Sequence, residues 1–430
     1  MIDIKLIREN KELVIENLKR KFQDEKIASL DEIIKLDVKY RSLKTKCDDL
    51  RANKNKISSD IGELMRSGKK QEAEAAKAEV VVINEKLVNL EQDEVATKTK
   101  LKELMMTIPN IIADDVPLGK DDSENVELEK YGEPIVPDYE IPYHADIAAS
   151  LDGVDFESSR RVSGQGFYYL TGNLALLHSA ILTYARDFMI KNDFTFVIPP
   201  FLIRSAIVEG VMSFTEMDDM MYKIEGEDLY LIGTSEHSMI GKYIDTIIKP
   251  NQLPQTLTSY SPCFRKEKGA HGIEERGLYR VHQFEKQEMI VVCDPSESDM
   301  WYEKMWQLTV EFIRSLDIPV RTLECCSGDL PDLKHKSVDV EAWSPRQQKY
   351  FEAGSCSNLT DAQSRRLNIR VKGENETYHP HTLNNTVLAT PRILIAFLEN
   401  NYNADGSINI PASLQPYMQG MNVIKPKTKQ

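Results

Sequence analysis

The sequence predicts an α+β protein with a long N-terminal antiparallel two-helix coiled-coil arm, followed by a domain with a mixed, largely antiparallel sheet flanked by helices. Residues 27–105 contain almost no Pro or Gly and keep a heptad spacing of apolar residues, which is typical of coiled coils. From about residue 129, strand-like apolar runs alternate with amphipathic stretches. Because these runs lack the even strand–helix spacing and the glycine fingerprint of a dinucleotide-binding fold, a parallel sheet is disfavoured.

The apolar seam of the first arm helix runs from Ile33 through Tyr40 to Leu50, with steps of three and four residues. A second seam begins at Ala73 and continues to Leu104, after a short Ser-Gly turn. One helix alone would leave its apolar stripe in water, so we expect the two helices to pair as a hairpin. This predicts an N-terminal domain over residues 1–107, with the arm at about 27–105.

The outer part of the arm is basic, although the whole chain carries a net charge of −14. Residues 44–70 hold eight basic and four acidic residues. A basic arm on an acidic protein is typical of polyanion binding. A dimerisation coiled coil and a merely solvated helical face remain the alternatives at this point. The lysines proposed to contact the polyanion are Lys54, Lys56, Lys69 and Lys70.

Composition sets broad limits on the class of protein. The 430 residues include 41% hydrophobic and 28% charged residues, as expected of a globular protein with a sizeable core. With no apolar run of about 18 residues and no apolar signal segment at the start, we expect a cytoplasmic protein without membrane contact. The six scattered cysteines predict reduced, buried thiols rather than disulfides or a zinc site.

The segment at 108–128 contains Pro109 and Pro117 and predicts a linker between the arm and a second domain over residues 129–430. In this second domain, a charged stretch between two strand-like runs carries the first candidate site. Arg265 and Glu267 share one face of a strand, and alternation from Leu278 onward places Phe284 and Glu288 on one face of the next, about 13 Å apart. A guanidinium group suits the phosphate of a nucleotide and an aromatic ring suits its base, so this segment could bind a nucleotide. The alternative interpretation is a network of ion pairs on the protein surface.

Two further segments add polar groups at the ends of apolar runs. In LYLIGTSE the strand-like run ends with Thr234 and Glu236 on one face, where they could receive an ammonium group or simply cap the strand. Further on, Thr390 is the expected N-cap of a helix that has Pro391 at its first position. Arg392 in that first turn is unfavourable for the helix, which predicts an anionic ligand or an acidic neighbour.

Three segments, in this order, resemble the signature motifs of class II aminoacyl-tRNA synthetases: FVIPPFLI with Pro200, FRKE to QFEKQE, and the helix with Arg392. Six further features resemble the seryl-tRNA synthetase family in particular. They are the start MIDIKLIREN, the two-helix arm, IPNI…VPLGKD, TSE, EAGSCSN…RRLNIR and HTLNNT. The resemblance covers essentially the whole chain. It implies that the second domain is a class II synthetase catalytic domain.

The resemblance also implies roles for individual residues. Arg265 would hold the α-phosphate of ATP, Glu267 the adenine amino group, Phe284 the adenine ring and Arg392 the γ-phosphate. Glu352 and Ser355 would bind ATP through Mg²⁺. The ATP site would further include Lys266, Ala353 and Gly354, and the serine site would comprise Thr234, Ser235, Glu236, Arg265, Glu288, Asn384 and Thr386. The catalytic residues would be Arg265, Glu288 and Arg392. Pro200 would lie at a homodimer interface.

The implied reaction is the activation of L-serine with ATP, with release of pyrophosphate, followed by seryl transfer to the terminal ribose of tRNA(Ser). Two alternatives remain: a paralogue that makes seryl-adenylate for a carrier protein or small-molecule pathway, and a catalytically silent RNA-binding homologue. The chain departs from the family at Gly354 and Thr386, where Ser is more common.

Overall fold

The computed structural model describes residues 1–267 and 277–427. The sequence KGAHGIEERG at 268–277, which predicts a glycine-rich hairpin loop, therefore lies outside the described residues except for Gly277. The chain divides into two compact units, residues 2–109 and residues 110–430 together with Met1. The finer boundaries predicted at 107 and 128 stay a prediction. Within the described residues, a search for a helix long and apolar enough to span a membrane finds no candidate.

The N-terminal unit is helical, and its two long helices confirm the predicted arm. A turn of three residues joins them at Ser67–Lys69, which lets the two apolar seams face each other. Cys47, Ile83 and Leu87 form a buried cluster along this seam. The helices are α1 Ile4–Glu9, α2 Lys11–Arg20, α3 Ile27–Arg66 and α4 Lys70–Thr107. At 1.5 Å per residue, α3 and α4 are each about 57–60 Å long.

One polar residue interrupts the seam of α3. Asp37 is buried, with a side chain only 2% exposed, and its carboxylate accepts hydrogen bonds from Arg8 and Arg41. A buried carboxylate requires such partners, because removing an ion from water is costly. The heptad pattern did not indicate this ion-paired position.

The second unit combines helices with a large sheet. Its helices are α5 His144–Ser150, α6 Phe156–Ser163, α7 Gly172–Lys191, α8 Ser205–Val211, α9 Phe214–Met220, α10 Ser235–Gly241, α11 Ser298–Arg314, α12 Ala362–Arg366 and α13 Thr390–Asn400. Its strands are β1 Val126–Tyr131, β2 Val154–Asp155, β3 Tyr169–Leu170, β4 Thr195–Val197, β5 Leu202–Ile203, β6 Tyr230–Leu231, β7 Ile247–Ile248, β8 Gln255–Phe264, β9 Gln283–Cys293, β10 Val320–Glu324, β11 Lys336–Ser344, β12 Lys349–Asn358, β13 Arg370–Lys372, β14 Thr377–Tyr378, β15 His381–Ala389, β16 Ile408–Asn409 and β17 Val423–Ile424.

Among the described residues, eight strands form the main sheet in the order β1-β10-β11-β12-β15-β9-β8-β4. Every neighbouring pair is antiparallel except β4 with β8, which confirms the mixed, largely antiparallel prediction. Helices α7, α11 and α13 pack on this sheet and close one apolar core, which includes Phe312 and Phe397. The six cysteines are free and buried, as predicted.

Three local predictions were wrong in detail. The strand expected from Leu278 begins only at Gln283. Thr234 does not end a strand: β6 stops at Leu231, and Thr234 is instead the N-cap of α10, whose first turn holds Glu236. Thr390 is not an N-cap, because its hydroxyl accepts from the Glu285 amide and donates to the Glu285 carbonyl across the sheet.

Candidate active site

Two adjoining cavities lie on the second unit, at the central strands of the main sheet. The first, called the nucleotide-side cavity after its predicted ligand, is lined by Arg265, Glu267, Tyr279, Arg280, Val281, Phe284, Lys286, Glu352, Ala353, Gly354, Thr386, Ala389, Pro391 and Arg392. The lining of the second, called the serine-side cavity after its predicted ligand, includes Thr234, Glu236, His237, Arg265, Lys286, Lys334, Asp339, Glu352, Ser355, Asn384 and Thr386. Because Arg265, Lys286, Glu352 and Thr386 line both, ligands in the two cavities would meet at these side chains.

Arg265 lies just after β8, and its position is fixed from two sides. Its Nε donates to the Gly233 carbonyl at 3.1 Å, and its guanidinium lies 5.2 Å from the centre of the Phe284 ring. A planar guanidinium held this way keeps its remaining N–H groups available to an anion at the junction of the cavities.

Phe284 is largely buried, with 9% exposure, among Cys263, Val281 and the rim residues Tyr168 and Ala389. Phe284 also lines the nucleotide-side cavity. The predicted alternation of side chains between the two faces of β9 is confirmed from Gln283 onward. It places Phe284 on the same face as Lys286 and Glu288.

Glu267 lies three residues after the end of β8, in a left-handed conformation with φ at 46°. Its carboxylate lies 3.6 Å from Arg280, which also lines the nucleotide-side cavity. Arg280 therefore holds the Glu267 carboxylate beside the cavity, although the predicted site did not include Arg280.

Arg392 is paired in this structure with an acidic neighbour, one of the two alternatives left open by the sequence. Its guanidinium donates to the Glu352 carboxylate at 2.8 Å and to the Glu352 carbonyl at 3.2 Å, and lies over the Tyr279 ring at 5.1 Å. Burial opposes ionisation of Glu352, but the charge and hydrogen bond of Arg392, together with the charges of Lys334 and Arg265, outweigh it and lower the Glu352 pKa. Glu352 is therefore a carboxylate at neutral pH.

A β-bulge brings Glu352 and Ser355 to the same face of β12. In the ladder with β11, Ser355 lies opposite Asp339 and Glu352 lies opposite Glu341, with the register shifting between them. In a regular strand, residues three apart point to opposite faces. The extra residue at Ala353 reverses the alternation, and both side chains face the serine-side cavity.

Glu236 lies at the start of α10 and is held by Gln363, whose side-chain amide donates to its carboxylate at 2.8 Å. The Thr234 hydroxyl accepts from the Glu236 amide at 3.4 Å. Burial, with a smaller contribution from the nearby Glu288 carboxylate, raises the pKa of Glu236 to about 7. The two residues thus give the cavity a hydroxyl and a carboxyl group that ionises close to neutral pH.

Glu288 is the most deeply buried acid of the site, with 1% exposure. Its carboxylate lies 2.6 Å from the ammonium of Lys286, two residues earlier on the same face of β9. Burial raises the Glu288 pKa, and Lys286 opposes that rise. Across the ladder Glu288 is paired with Thr386 on β15, and Thr386 lines both cavities.

The family departures at Gly354 and Thr386 lie next to each other. A Cβ at Gly354 would lie 3.0 Å from the Thr386 carbonyl oxygen and 3.4 Å from its Cβ, a tight contact. A glycine at this position of β12 therefore avoids a close contact with Thr386 on β15.

Of the predicted residues, Ser235, Lys266 and Glu288 are not among the described residues that line either cavity. Ser235 is fully buried in α10, and the Lys266 amide donates to Met220. Sequence reasoning also missed four lining residues: Tyr279, Arg280, Lys286 and Lys334. The first three lie within the quoted motif from FRKE to QFEKQE, so their place in that motif was the available signal.

The predicted polyanion-binding lysines lie on the arm. Lys56, Lys69 and Lys70 are exposed and Lys54 is half-buried. Lys69 is ion-paired with Glu72 at 3.1 Å. Within residues 1–267 and 277–427, no ion pair is found for Lys54, Lys56 or Lys70.

Comparison with known proteins covers both units. Residues 1–112 match the family model of the seryl-tRNA synthetase N-terminal domain, and residues 220–401 match that of the class II tRNA synthetase core domain (G, H, P, S and T). The chain is 40% identical to a serine–tRNA ligase of Methanocella arvoryzae over 428 residues, covering 99% of this chain and 100% of the relative. It is 38% identical to a serine–tRNA ligase of Methanoculleus marisnigri over 427 residues, covering 99% of this chain and 100% of the relative.

Solved structures give the same result. The seryl-tRNA synthetase of Pyrococcus horikoshii, complexed with ATP, matches with a TM-score of 0.89 and 37% identity, covering 100% of both chains. The cytoplasmic serine–tRNA ligase of Naegleria fowleri, in complex with AMP, matches with a TM-score of 0.85 and 31% identity, covering 100% of this chain and 99% of the other.

Proposed function

Because this chain belongs to the seryl-tRNA synthetase family, we propose that it is a serine–tRNA ligase that activates L-serine with ATP and transfers the seryl group to tRNA(Ser). The observation that carries the proposal is the shared lining of the two cavities. Arg265 lies at their junction, where the carboxylate of an amino acid and the α-phosphate of a nucleotide would have to meet.

The first step joins two anions. A carboxylate oxygen of serine attacks the α-phosphorus of ATP, the bond to the β-phosphate oxygen breaks, and pyrophosphate leaves while seryl-adenylate forms. Arg265 offsets the charge that accumulates at the α-phosphate, and its fixed orientation means that little reorganisation is needed during the reaction. In the second step a terminal ribose hydroxyl of tRNA attacks the seryl carbonyl, and AMP leaves with the bonding electron pair.

Serine selection follows from the groups that converge on the second cavity. Glu236 and Thr234, which line this cavity, would receive the ammonium group. Thr386, which also lines it, and Glu288, its buried cross-strand neighbour, would bind the side-chain hydroxyl. A pocket that hydrogen-bonds a substrate hydroxyl discriminates strongly against an analogue without it, because its own buried polar groups are then left unpaired. Alanine should therefore be rejected strongly.

The site fits a magnesium ion bound with ATP. Glu352 provides an ionised carboxylate and Ser355 a hydroxyl, both on one face of β12, and oxygen ligands are those that Mg²⁺ prefers. When bound, Mg²⁺ would neutralise charge on the phosphates. Arg392 would exchange its present partner, Glu352, for the γ-phosphate, which frees the Glu352 carboxylate for the metal.

The arm and the dimer complete the proposal. Four lysines of the arm would contact the phosphates of tRNA(Ser): Lys54, Lys56, Lys69 and Lys70. A homodimer is supported by the segment around Pro200, which is exposed and flanked by Ile198 and Leu202 with 73% and 40% exposure. The proposal places the protein in the cytoplasm, as the name of the N. fowleri relative states for that protein.

Serine-dependent ATP–pyrophosphate exchange tests the first step, and charging of purified tRNA tests the second. We expect both with serine and neither with alanine. Exchange without charging would support a seryl-adenylate-forming paralogue. Absence of both in folded protein with Mg²⁺ would support a silent RNA-binding homologue.

A further inference from the structure

Gln363 is a buried side chain that contacts an acid of the serine-side cavity. It lies in α12 with 0% exposure, and it is not among the described residues that line either cavity. Its Nε2 donates to Glu236 Oε1 at 2.8 Å, and its Oε1 accepts from the Thr382 hydroxyl at 2.7 Å. Thr382, on β15, is fully buried as well. The three side chains therefore connect the main sheet to a carboxyl group that lines the cavity.

The direction of these hydrogen bonds suits an ionised Glu236. A carboxylate only accepts hydrogen bonds, whereas a threonine hydroxyl can donate. The Gln363 amide accordingly directs its nitrogen toward Glu236 and its oxygen toward Thr382. Because Gln363 engages Oε1 of Glu236, Oε2 is the oxygen that a cationic ligand in the cavity would meet.

Contacts on both sides of the amide hold α12 against β15. The Thr382 amide donates to the Thr360 carbonyl at 2.9 Å, and the Thr382 carbonyl accepts from the Leu359 amide at 3.0 Å. On α12, the Ser364 hydroxyl donates to the carbonyl of Pro380, just before β15, at 2.6 Å. The amide is thus carried by a short helix that is fixed to the sheet, and a supporting group placed this way can orient its partner precisely.

Glu236 is close to the balance between its two protonation states, so a single hydrogen bond matters. Burial and the Glu288 carboxylate raise its pKa to about 7, whereas the hydrogen bond from Gln363 and the charges of Lys286 and Lys334 oppose that rise. A donor to the ionised form lowers a carboxyl pKa, and its removal therefore raises it. Without Gln363, more of Glu236 would be protonated at neutral pH.

We propose that Gln363, fixed between Thr382 and Glu236, is a positioning residue of the serine site that orients the Glu236 carboxylate and keeps it available to the ammonium group of the substrate. The role rests on the proposed function, since Gln363 would act on serine only through Glu236. It adds a residue from α12 to a site whose predicted members come from other elements.

The first test follows kcat/KM for serine in pyrophosphate exchange from about pH 6 to about pH 9. Gln363→Met keeps the length of the side chain and removes the donor, so its acidic limb should move up by about one pH unit. The KM for serine should then rise by about fivefold at pH 7 and by less than about twofold at pH 9, with kcat nearly unchanged. A merely structural change would lower activity equally at both pH values.

A matched pair at Thr382 tests the other end of the connection. Thr382→Val removes the hydroxyl that orients the Gln363 amide and should move the limb in the same direction by a smaller amount. Thr382→Ser keeps the hydroxyl and should restore the wild-type limb. If Gln363→Met is not folded by circular dichroism, Gln363→Leu replaces it.

A second measurement needs no catalysis. Infrared titration of the nucleotide-free protein, with each spectrum compared with that of the same variant carrying Glu236→Gln, reports the protonation of Glu236 directly. Its midpoint should rise by about one pH unit in Gln363→Met. An unchanged midpoint overturns the proposal, even if the wild type shows no serine-dependent exchange and the proposed function itself fails. A shifted midpoint with an unmoved kinetic limb also overturns it, because Glu236 would then not bind serine.

Discussion

Charged side chains are exposed to water on the arm but buried at the two cavities of the second unit. On the arm, Arg51 is 46% exposed and pairs with Asp48 and Glu91, which are about as exposed. At the cavities, Lys286 and its buried partner Glu288 form a pair in which both side chains are 10% exposed or less. Water and salt screen the first kind of charge and leave it free to meet a partner, whereas burial makes the second kind dependent on each immediate neighbour.

The largest expected effect comes from removing the cation that both cavities share. Arg265→Ala should reduce pyrophosphate exchange by about 10²–10³-fold, because a preorganised group that stabilises developing charge is lost. Charging of tRNA should fall equally, since it depends on the same adenylate. Lys372→Ala, a change at an exposed position of the same unit, is the control and should keep full exchange. A fall in pyrophosphate exchange of less than tenfold would mean that another cation stabilises the charge on the α-phosphate.

Removing one member of the buried pair comes next. Lys286→Met leaves Glu288 without its cation, so the Glu288 pKa should rise further and the hydroxyl site should be weakened. We expect the KM for serine to rise by about 10–100-fold and the protein to lose thermal stability. The double variant Lys286→Met/Glu288→Gln should regain stability without regaining serine affinity. Recovery of both would show that Glu288 does not bind serine.

The same contrast explains which features were predictable. The arm is built from local periodicity, so its helices and turn followed from the spacing of apolar residues. Phe284 and Glu288 were also correctly placed, because they lie inside one regular strand. Thr390 was assigned wrongly as a cap, since its hydroxyl bonds to Glu285, which is 105 residues away.

Features that combine distant segments had no signal in the sequence. The bulge at Ala353, which turns Glu352 to the face of Ser355, contradicts strand alternation and depends on the pairing of β12 with β11. Lys334 was overlooked because its partner Ser355 lies on another strand and no motif includes it. Resemblance to a family supplied the residues of the site, while packing determined their partners.

Reversing charge on the arm should separate the two activities. A single variant with four Lys→Glu changes should weaken tRNA charging by at least about tenfold, while pyrophosphate exchange stays nearly constant. The changed residues are Lys54, Lys56, Lys69 and Lys70. The slope of log K against log salt for tRNA binding should flatten by about one unit for each lost phosphate contact. Reversal of Lys98 and Lys102, near the other end of α4, is the matched control. If pyrophosphate exchange falls as much as tRNA charging, the arm has a structural role rather than a role in tRNA recognition.

Acidification should weaken serine capture through Glu236, whose pKa is about 7. A raised pKa means that the carboxyl takes up a proton as pH falls through neutrality, and a protonated Glu236 cannot pair with an ammonium. We expect kcat/KM for serine, which reports the free enzyme, to fall by up to about tenfold per unit below pH 7. Glu236→Gln should lower activity and flatten this limb. A persisting limb would assign it to Glu288.

The smallest effect is expected for an exposed ion pair of the arm. Arg51→Ala removes the contacts with Asp48 and Glu91, which water and side-chain entropy make weak. The midpoint of thermal unfolding should change by less than about 2 °C, and pyrophosphate exchange should not change. By contrast, Asp37→Asn, at the buried ion pair of the same helix, should lower the midpoint clearly, because Arg8 and Arg41 lose their shared carboxylate. If the two variants unfold alike, burial is not what separates strong from weak charge pairs in this protein.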